Sequence, residues 1–338
     1  MSEIRENRLT GEWVIIAPGR ARRGGNLTPP KIGEDIPRHS ASCPFCPGNE
    51  AMTIDEKYRF DEGGQGGSIR SVLNKYSALS PSGDVELHCC SGVAGKIGDC
   101  VNAVGLHEVI IEGQRHDLGI AQCPVEHTRQ VLNAYVHRFR AFYEDSRIRH
   151  VTLFKNHGVE AGASQQHPHS QIVGLPIVPG QILDRNDRVR QFFVETGQCL
   201  GCRMIEQESQ EACRIVAENA QFVAFIPYAA LSQYHLWIFP KAHGYCFSEQ
   251  SEDSLGALAE ILHTILVKLH LLLGNPPFNL VVRSRGPRDT ASPHFHWYIS
   301  VVPRVGRAAG FELGTGMYVN PLAPESAAQQ LRDQVVPV

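Results

Sequence analysis

The stretch GASQQHPHSQIVGLPIVP, Gly162 to Pro179, places two histidines on either side of a proline and follows them with Ser170 and Gln171. In extended backbone, residues two apart point the same way, so His167 and His169 share one face. The apolar run Ile172, Val173, Leu175, Ile177 and Val178 predicts a strand closed by Pro179. Such a pair of imidazoles serves a metal, a nucleophilic step, or one of each.

The surrounding chain repeats one layout. Cys43 and Cys46 in CPFCPGN precede HEVIIEGQRH, which ends at His116. A helical stretch follows, PVEHTRQVLNAYVHRFRAFYED, with Leu132, Tyr135, Val136, Phe139 and Tyr143 on one face. The strand VTLFKN then leads to the HPHSQ stretch. Cys199 and Cys202 in GQCLGC lie 156 residues further on. After them come HLWIFPKAH ending at His243, the helix DSLGALAEILHTILVKLHLLL, the strand FNLVVRS and HFHWYISVVP. Four elements in matching order predict a duplicated α+β unit, an antiparallel sheet with helices in each half. The halves are expected at residues 1–180 and 181–338.

A single C-x-x-C in a reduced protein reads as a redox motif or half of a zinc site, and two with distant histidines favour zinc. Zinc takes thiolates and neutral imidazoles, four in a structural site. The spacing leaves one choice open. His116 to His167 is 51 residues and His243 to His294 is also 51, so the repeat alone selects His294 over His296.

Composition narrows the class. The 338 residues are 42% hydrophobic and 20% charged with a net charge of −3, which gives no basic footprint for a nucleic-acid partner. No apolar run approaches the roughly 20 residues of a membrane helix, and MSEIRENRLTGEW holds no apolar signal core. The expectation is a cytoplasmic protein with no membrane partner, whose ten cysteines stay reduced. Cys89, Cys90, Cys100, Cys123, Cys213 and Cys246 have no ligand-like spacing. DEGGQGGS lacks the lysine of a P-loop and reads as a surface loop, and HCCSGVAGKIGDC as an irregular insertion. GRARRGGN gathers Arg20, Arg22 and Arg23 as a solvated basic turn or a phosphate-binding group.

WVIIAPGRARR, CPFCPGNE, FKNHG, GASQQHPHSQ and FELGTG together resemble the galactose-1-phosphate uridylyltransferase family, relatives of the histidine-triad nucleotide-binding proteins. GASxxHxHSQ, LPIVP and GTGMYVNP look more like its ADP-glucose phosphorylase-like branch. Ser170 stands where the typical uridylyltransferase has glycine, and Lys75, in the base-contacting segment VLNKYSAL that includes Asn74, stands where it has aspartate. The resemblance implies a histidine-triad-like fold in each half and a ping-pong reaction in which His169 attacks the α-phosphorus of a nucleoside diphosphate sugar. It further implies that Gln171 donates to the phosphoryl oxygens and that Ser164 and Asn156 contact phosphates. Cys43, Cys46, His116 and His167 would hold one zinc, and Cys199, Cys202, His243 and His296 a second. Arg20 and Arg23 would reach a nucleotide phosphate across a homodimer interface, and Phe311 and Glu312 would line the hexose pocket. Two acceptors remain open: a hexose 1-phosphate, as in the uridylyltransferases, or inorganic phosphate, as in the phosphorylase branch. A histidine-triad hydrolase is disfavoured because Gln171 replaces the last histidine of that triad. A zinc scaffold without catalysis would leave His169 idle. Tyr298 aligns with Gln171 on the 127-residue spacing, so no second catalytic centre is expected.

Overall fold

The computed structural model describes residues 2–22, 36–61, 67–88, 100–289, 292–306 and 308–337. Arg23, Cys89, Cys90 and most of DEGGQGGS and HCCSGVAGKIGDC lie outside the described residues. The chain begins with the paired strands β1 (Glu3–Glu6) and β2 (Trp13–Ile16). It continues through β3 (Ile54–Phe60), β4 (Ile69–Leu73), the short β5 (Leu87–His88) and β6 (Cys100–Val101), and β7 (Leu106–Ile111). Helix α1 (Val125–Glu144), β8 (His150–His157) and β9 (His169–Leu175) complete the first half. Helices α2 (Gly180–Thr196) and α3 (Leu200–Glu211) lead to β10 (Ile215–Glu218), β11 (Phe222–Phe225) and β12 (Leu236–Pro240). Then come α4 (Glu252–Leu273), β13 (Phe278–Arg283) and β14 (Tyr298–Pro303). α5 (Gly310–Thr315), β15 (Tyr318–Asn320) and α6 (Pro324–Arg332) end it.

Ten of these strands join in one sheet, ordered β10-β11-β12-β14-β13-β8-β9-β7-β4-β3. Read inward from either edge, the two halves supply their strands in the same order, and β8 pairs with β13 at the seam. Each half alone would leave β8 or β13 as a raw edge with unpaired backbone groups. Joining them satisfies both. β9 ends at Leu175, four residues before the expected Pro179. Pro176 has no N–H to donate to a ladder, and Pro179 instead caps α2. The expected boundary at residues 180/181 falls at the start of α2, but the sheet runs on through the seam and β15 pairs with β2.

One face of the sheet is covered by α1 and α4. Val131, Leu132, Tyr135 and Phe139 meet Leu255, Leu258, Leu262 and Ile265 over Leu153, Ile172, Leu280 and Ile299. Contrary to the sequence expectation, α4 has the length and composition of a membrane span, with 22 residues and a mean hydropathy of 1.6 over an 18-residue window. It is the core helix of the second half, and Glu260 and Lys268 divide its apolar run.

The other face decides where a site forms. In the second half its part over β11 and β12 is filled: Phe225, Trp237, Phe239 and Tyr298 pack together under Val189, Leu200 and Ile205 of α2 and α3. In the first half it carries only the small cluster Val72, Val109 and Ile111 with Phe45, and a cavity of about 610 Å³ opens there.

Candidate active site and metal centres

His169 is the first residue of β9 and is 4% exposed at the floor of that cavity. Its Nδ1 donates to the carbonyl of His167 at 2.9 Å. Burial lowers its pKa, so the ring is neutral at physiological pH with the Nε2 lone pair free. Phe45, carried by the Cys43–Cys46 turn, lies against the imidazole with ring centroids 5.4 Å apart.

The strand bearing His169 is clamped from behind. Lys155 donates to the His169 carbonyl at 3.2 Å and to Glu112 at 2.7 Å, both charged groups being 1% exposed. Glu112 also accepts from Ser170 and from Tyr135 at 2.7 Å, and its backbone N–H donates to the Pro168 carbonyl at 3.1 Å. Burial alone would raise the Glu112 carboxyl, but Lys155 and the two hydroxyls hold it below the usual carboxylate range. The same low-dielectric burial drives the Tyr135 phenol well up, so it stays protonated as a donor. Serine rather than glycine at position 170 therefore adds a hydroxyl to this network.

Gln171 points to the cavity side, and its Oε1 accepts from His107 Nε2 at 2.8 Å. That bond turns the Gln171 NH₂ toward the space above His169. His107 Nε2 also lies 3.0 Å from the Asn74 amide, whose Oδ1 accepts from the Tyr76 backbone at 2.9 Å. Asn74, Lys75, Ser164, His169 and Gln171 thus line one cavity. Asn156, Arg20, Phe311 and Glu312 do not line it. Asn156 sits on β8, bonded to Asn279 at 2.8 Å, and Arg20 is exposed on the 18–22 turn. Phe311 is 45% exposed on α5, where Glu312 accepts from the Ala309 backbone N–H at 2.8 Å. His107, Glu112, Lys155 and Phe45 went unread in the sequence.

Cys43, Cys46, His116 and His167 are all buried, with their ligand atoms within 4.8 Å of one another. Cys46 Sγ is 3.4 Å from His116 Nδ1 and 3.6 Å from His167 Nδ1. His167 Nε2 donates to the Gly113 carbonyl at 2.8 Å, which leaves Nδ1 as the acceptor nitrogen facing the thiols. Burial holds the His167 pKa down to about 4 and the Cys43 thiol up. Cys199, Cys202, His243 and His296 form a second such cluster. Cys202 Sγ is 3.5 Å from Nδ1 of both His243 and His296. His296 rather than His294 reaches the cluster, against the 51-residue spacing. A Cβ on Gly201 would lie 2.5 Å from His296, so only glycine inside this C-x-x-C admits the ring.

His167 and His296 each stand two residues before their strand, so they fix the correspondence of the halves. Val109 opposes Gln171, and Trp237 opposes Ser300. Tyr298 therefore occupies the place of His169, not that of Gln171, which Ser300 takes. The counterpart of the His107–Gln171 bond is His235 to Ser300 at 2.9 Å.

A family model described as galactose-1-phosphate uridyl transferase, N-terminal domain, matches residues 1–179. The chain belongs to the galactose-1-phosphate uridylyltransferase family. A second family, described only as a domain of unknown function, matches residues 112–338. ADP-glucose phosphorylase of Arabidopsis thaliana is 32% identical over 98% of this chain and 92% of that one. Galactose-1-phosphate uridylyltransferase of Thermotoga maritima is 26% identical over the full length of both. The crystal structure of the Arabidopsis phosphorylase with bound ADP-glucose superposes with a TM-score of 0.82, at 28% identity, over all of both chains. Membership makes this chain an enzyme, a nucleotidylyltransferase.

Proposed function

We propose that the chain moves a nucleoside monophosphate from a nucleoside diphosphate hexose to a phosphate acceptor through a nucleotidyl-His169 intermediate. The observation that carries this is the buried neutral imidazole, its Nδ1–H committed to the His167 carbonyl and its Nε2 facing a cavity beside Gln171. The Nε2 lone pair attacks the α-phosphorus, and the bond to the sugar 1-phosphate breaks with its electron pair leaving on that oxygen. An acceptor phosphate oxygen then attacks the same phosphorus, and the P–N bond pair returns to Nε2. The Gln171 NH₂ is placed to stabilise the phosphoryl oxygens through both steps. Asn74, Lys75 and Tyr76 form the wall suited to the base.

The acceptor has two readings. A hexose 1-phosphate corresponds to the uridylyltransferase relatives, and inorganic phosphate to the ADP-glucose phosphorylase. The second is favoured by its higher identity, 32% against 26%. A panel of UDP- and ADP-hexoses, each with phosphate or hexose 1-phosphate, separates them.

The metal we propose for both clusters is zinc. A tetrahedral ion with sulfur at about 2.3 Å and nitrogen at about 2.05 Å sets an S–N edge of roughly 3.6 Å. The separations of 3.4–3.6 Å match it. Four protein ligands leave no open position, so the metal serves as a scaffold that fixes Phe45 and the His167 backbone around His169. The protein is proposed to be a cytoplasmic homodimer in which Arg20 and Arg23 complete the partner's site. Incubation with nucleoside diphosphate hexose and no acceptor should add one nucleoside monophosphate per chain by intact mass, and none to His169→Ala. Full turnover without any trapped adduct would overturn the mechanism.

A further inference from the structure

A second cavity, about 530 Å³, lies on the same face of the sheet across the seam, and the proposed transfer does not use it. Five arginines line it (Arg149, Arg185, Arg283, Arg285 and Arg288) against one acid, Asp289. Arg285 pairs with Asp289 at 3.1 Å and Arg185 with Glu12 at 3.0 Å. Arg149, Arg283 and Arg288 have no acidic partner among the described residues. The Nε of Arg283 is shielded from solvent without a hydrogen-bond partner, as is the Oδ1 of Asn186, a 9% exposed residue on the cavity wall.

The position of the cavity is as informative as its charge. Arg283 opposes Tyr298 in the β13–β14 ladder. Tyr298 stands where His169 stands in the first half, so Arg283 stands where Asn156 does. The loop from Ser284 to Asp289 that rims the cavity follows β13 as the loop to Ser164 follows β8. Through Tyr298 and this loop, the cavity is the second-half counterpart of the His169 and Ser164 end of the catalytic pocket. Its base end is gone, filled by Phe225, Trp237 and Phe239. An Nε–H of a guanidinium shielded from water without an acceptor is costly, and a dianionic phosphate offers the forked acceptor it lacks. Burial and the nearby Arg185 both lower the Arg283 pKa, as expected of a site short of negative charge.

We infer that this cavity is a second, non-covalent binding site for a small phosphate monoester, its phosphate held by Arg283, Arg149 and Arg288. The apolar wall of Leu183, Val189 and Phe295 receives the organic body. Tyr298 makes no covalent bond there, because its buried phenol stays protonated.

Equilibrium dialysis with radiolabelled AMP, glucose 1-phosphate and inorganic phosphate, each separately, tests this and distinguishes nucleoside, sugar and free phosphate. For at least one ester the wild type should hold one more molecule per chain than Arg283→Gln. Arg288→Ala, at an exposed position where folding is not at stake, should weaken that extra site by about tenfold or more. Adduct formation at His169, scored by intact mass, should be unchanged in both variants. Equal stoichiometry and affinity in the wild type and both variants would overturn the inference, as would binding of free phosphate alone. Loss of the adduct with the extra site retained would instead count against the transfer mechanism.

Discussion

His107 holds Gln171 by a single bond of 2.8 Å, and the direction of that bond decides which end of the amide meets substrate. With Nε2–H donating to Oε1, the NH₂ faces the phosphoryl group. Without it, the amide is free to rotate and present an oxygen to an oxyanion. His107→Ala should therefore slow adduct formation about tenfold while leaving the fold and metal content intact, the scale of one net hydrogen bond of about 1 kcal/mol or slightly more. Rapid-quench rates of adduct formation provide the check, and an unchanged rate would remove the positioning role. HPHSQ was legible because its chemistry is concentrated in five consecutive residues. His107 was not, since it lies 64 residues away from Gln171 and meets it only through the β7–β9 ladder. Glu112 and Lys155 did leave a trace: each is a charge within an apolar strand run, VIIEG and TLFKN. Buried charges in such runs are retained when paired, as these are.

At the scale of elements, the two C-x-x-C segments are built differently. Cys43 and Cys46 lie in turns, and the residue between them that matters, Phe45, packs on His169. Cys199 caps α3 and Cys202 lies in its first turn, with Gly201 giving room to His296. The consequences of losing each site should differ accordingly. Gly201→Ala should lower metal content from two ions per chain to one, with adduct formation largely kept. Cys43→Ser should also remove one ion, but adduct formation should fall with it, because Phe45 and the His167 backbone lose their anchor. Metal analysis paired with intact mass reads both. Equal activity in the two variants would mean that the first cluster does not position the nucleophile.

The whole molecule stores acid sensitivity in buried neutral histidines. His235 is 2% exposed and bonded to Ser300, with burial lowering its pKa to about 3. His150, 8% exposed, is lowered to about 4, first by burial and then by Arg283 and Arg285. Both stay neutral when folded but take up a proton near pH 6.5 when unfolded. Their stabilisation is thus complete above pH 6.5 and drains away as the pH falls toward 4, by up to about 1.4 kcal/mol per pH unit for each. The melting temperature should fall between pH 6.5 and 4.5, and His235→Gln should flatten that slope. A slope identical to wild type would show that the ring titrates alike in both states. Assembly is tested by mixing chains. On the proposed shared-site dimer, His169→Ala alone should be inactive and Arg20→Ala alone weak, and their mixed dimers should regain a share of activity through one intact site. Heterodimers without recovery would place Arg20 outside the partner's site.

The sequence alone determined the duplication and the two Cys/His sets, apart from the choice between His294 and His296, because each is written in chain order as a motif or a repeat spacing. Local periodicity likewise set the core face of α1. Tertiary structure decided the rest. The two halves fused into one sheet because β8 and β13 each needed a partner for an edge. His296 displaced His294 because the connection from β13 to β14 is two residues longer than spacing implied, which brings His296 Nδ1 to the Cys202 thiol. The first half has an open pocket where the second is filled, because Trp237 and Phe239 occupy the places of Val109 and Ile111. Those residues are equally apolar in sequence, and their difference in volume acts only once the sheet has brought their neighbours around them.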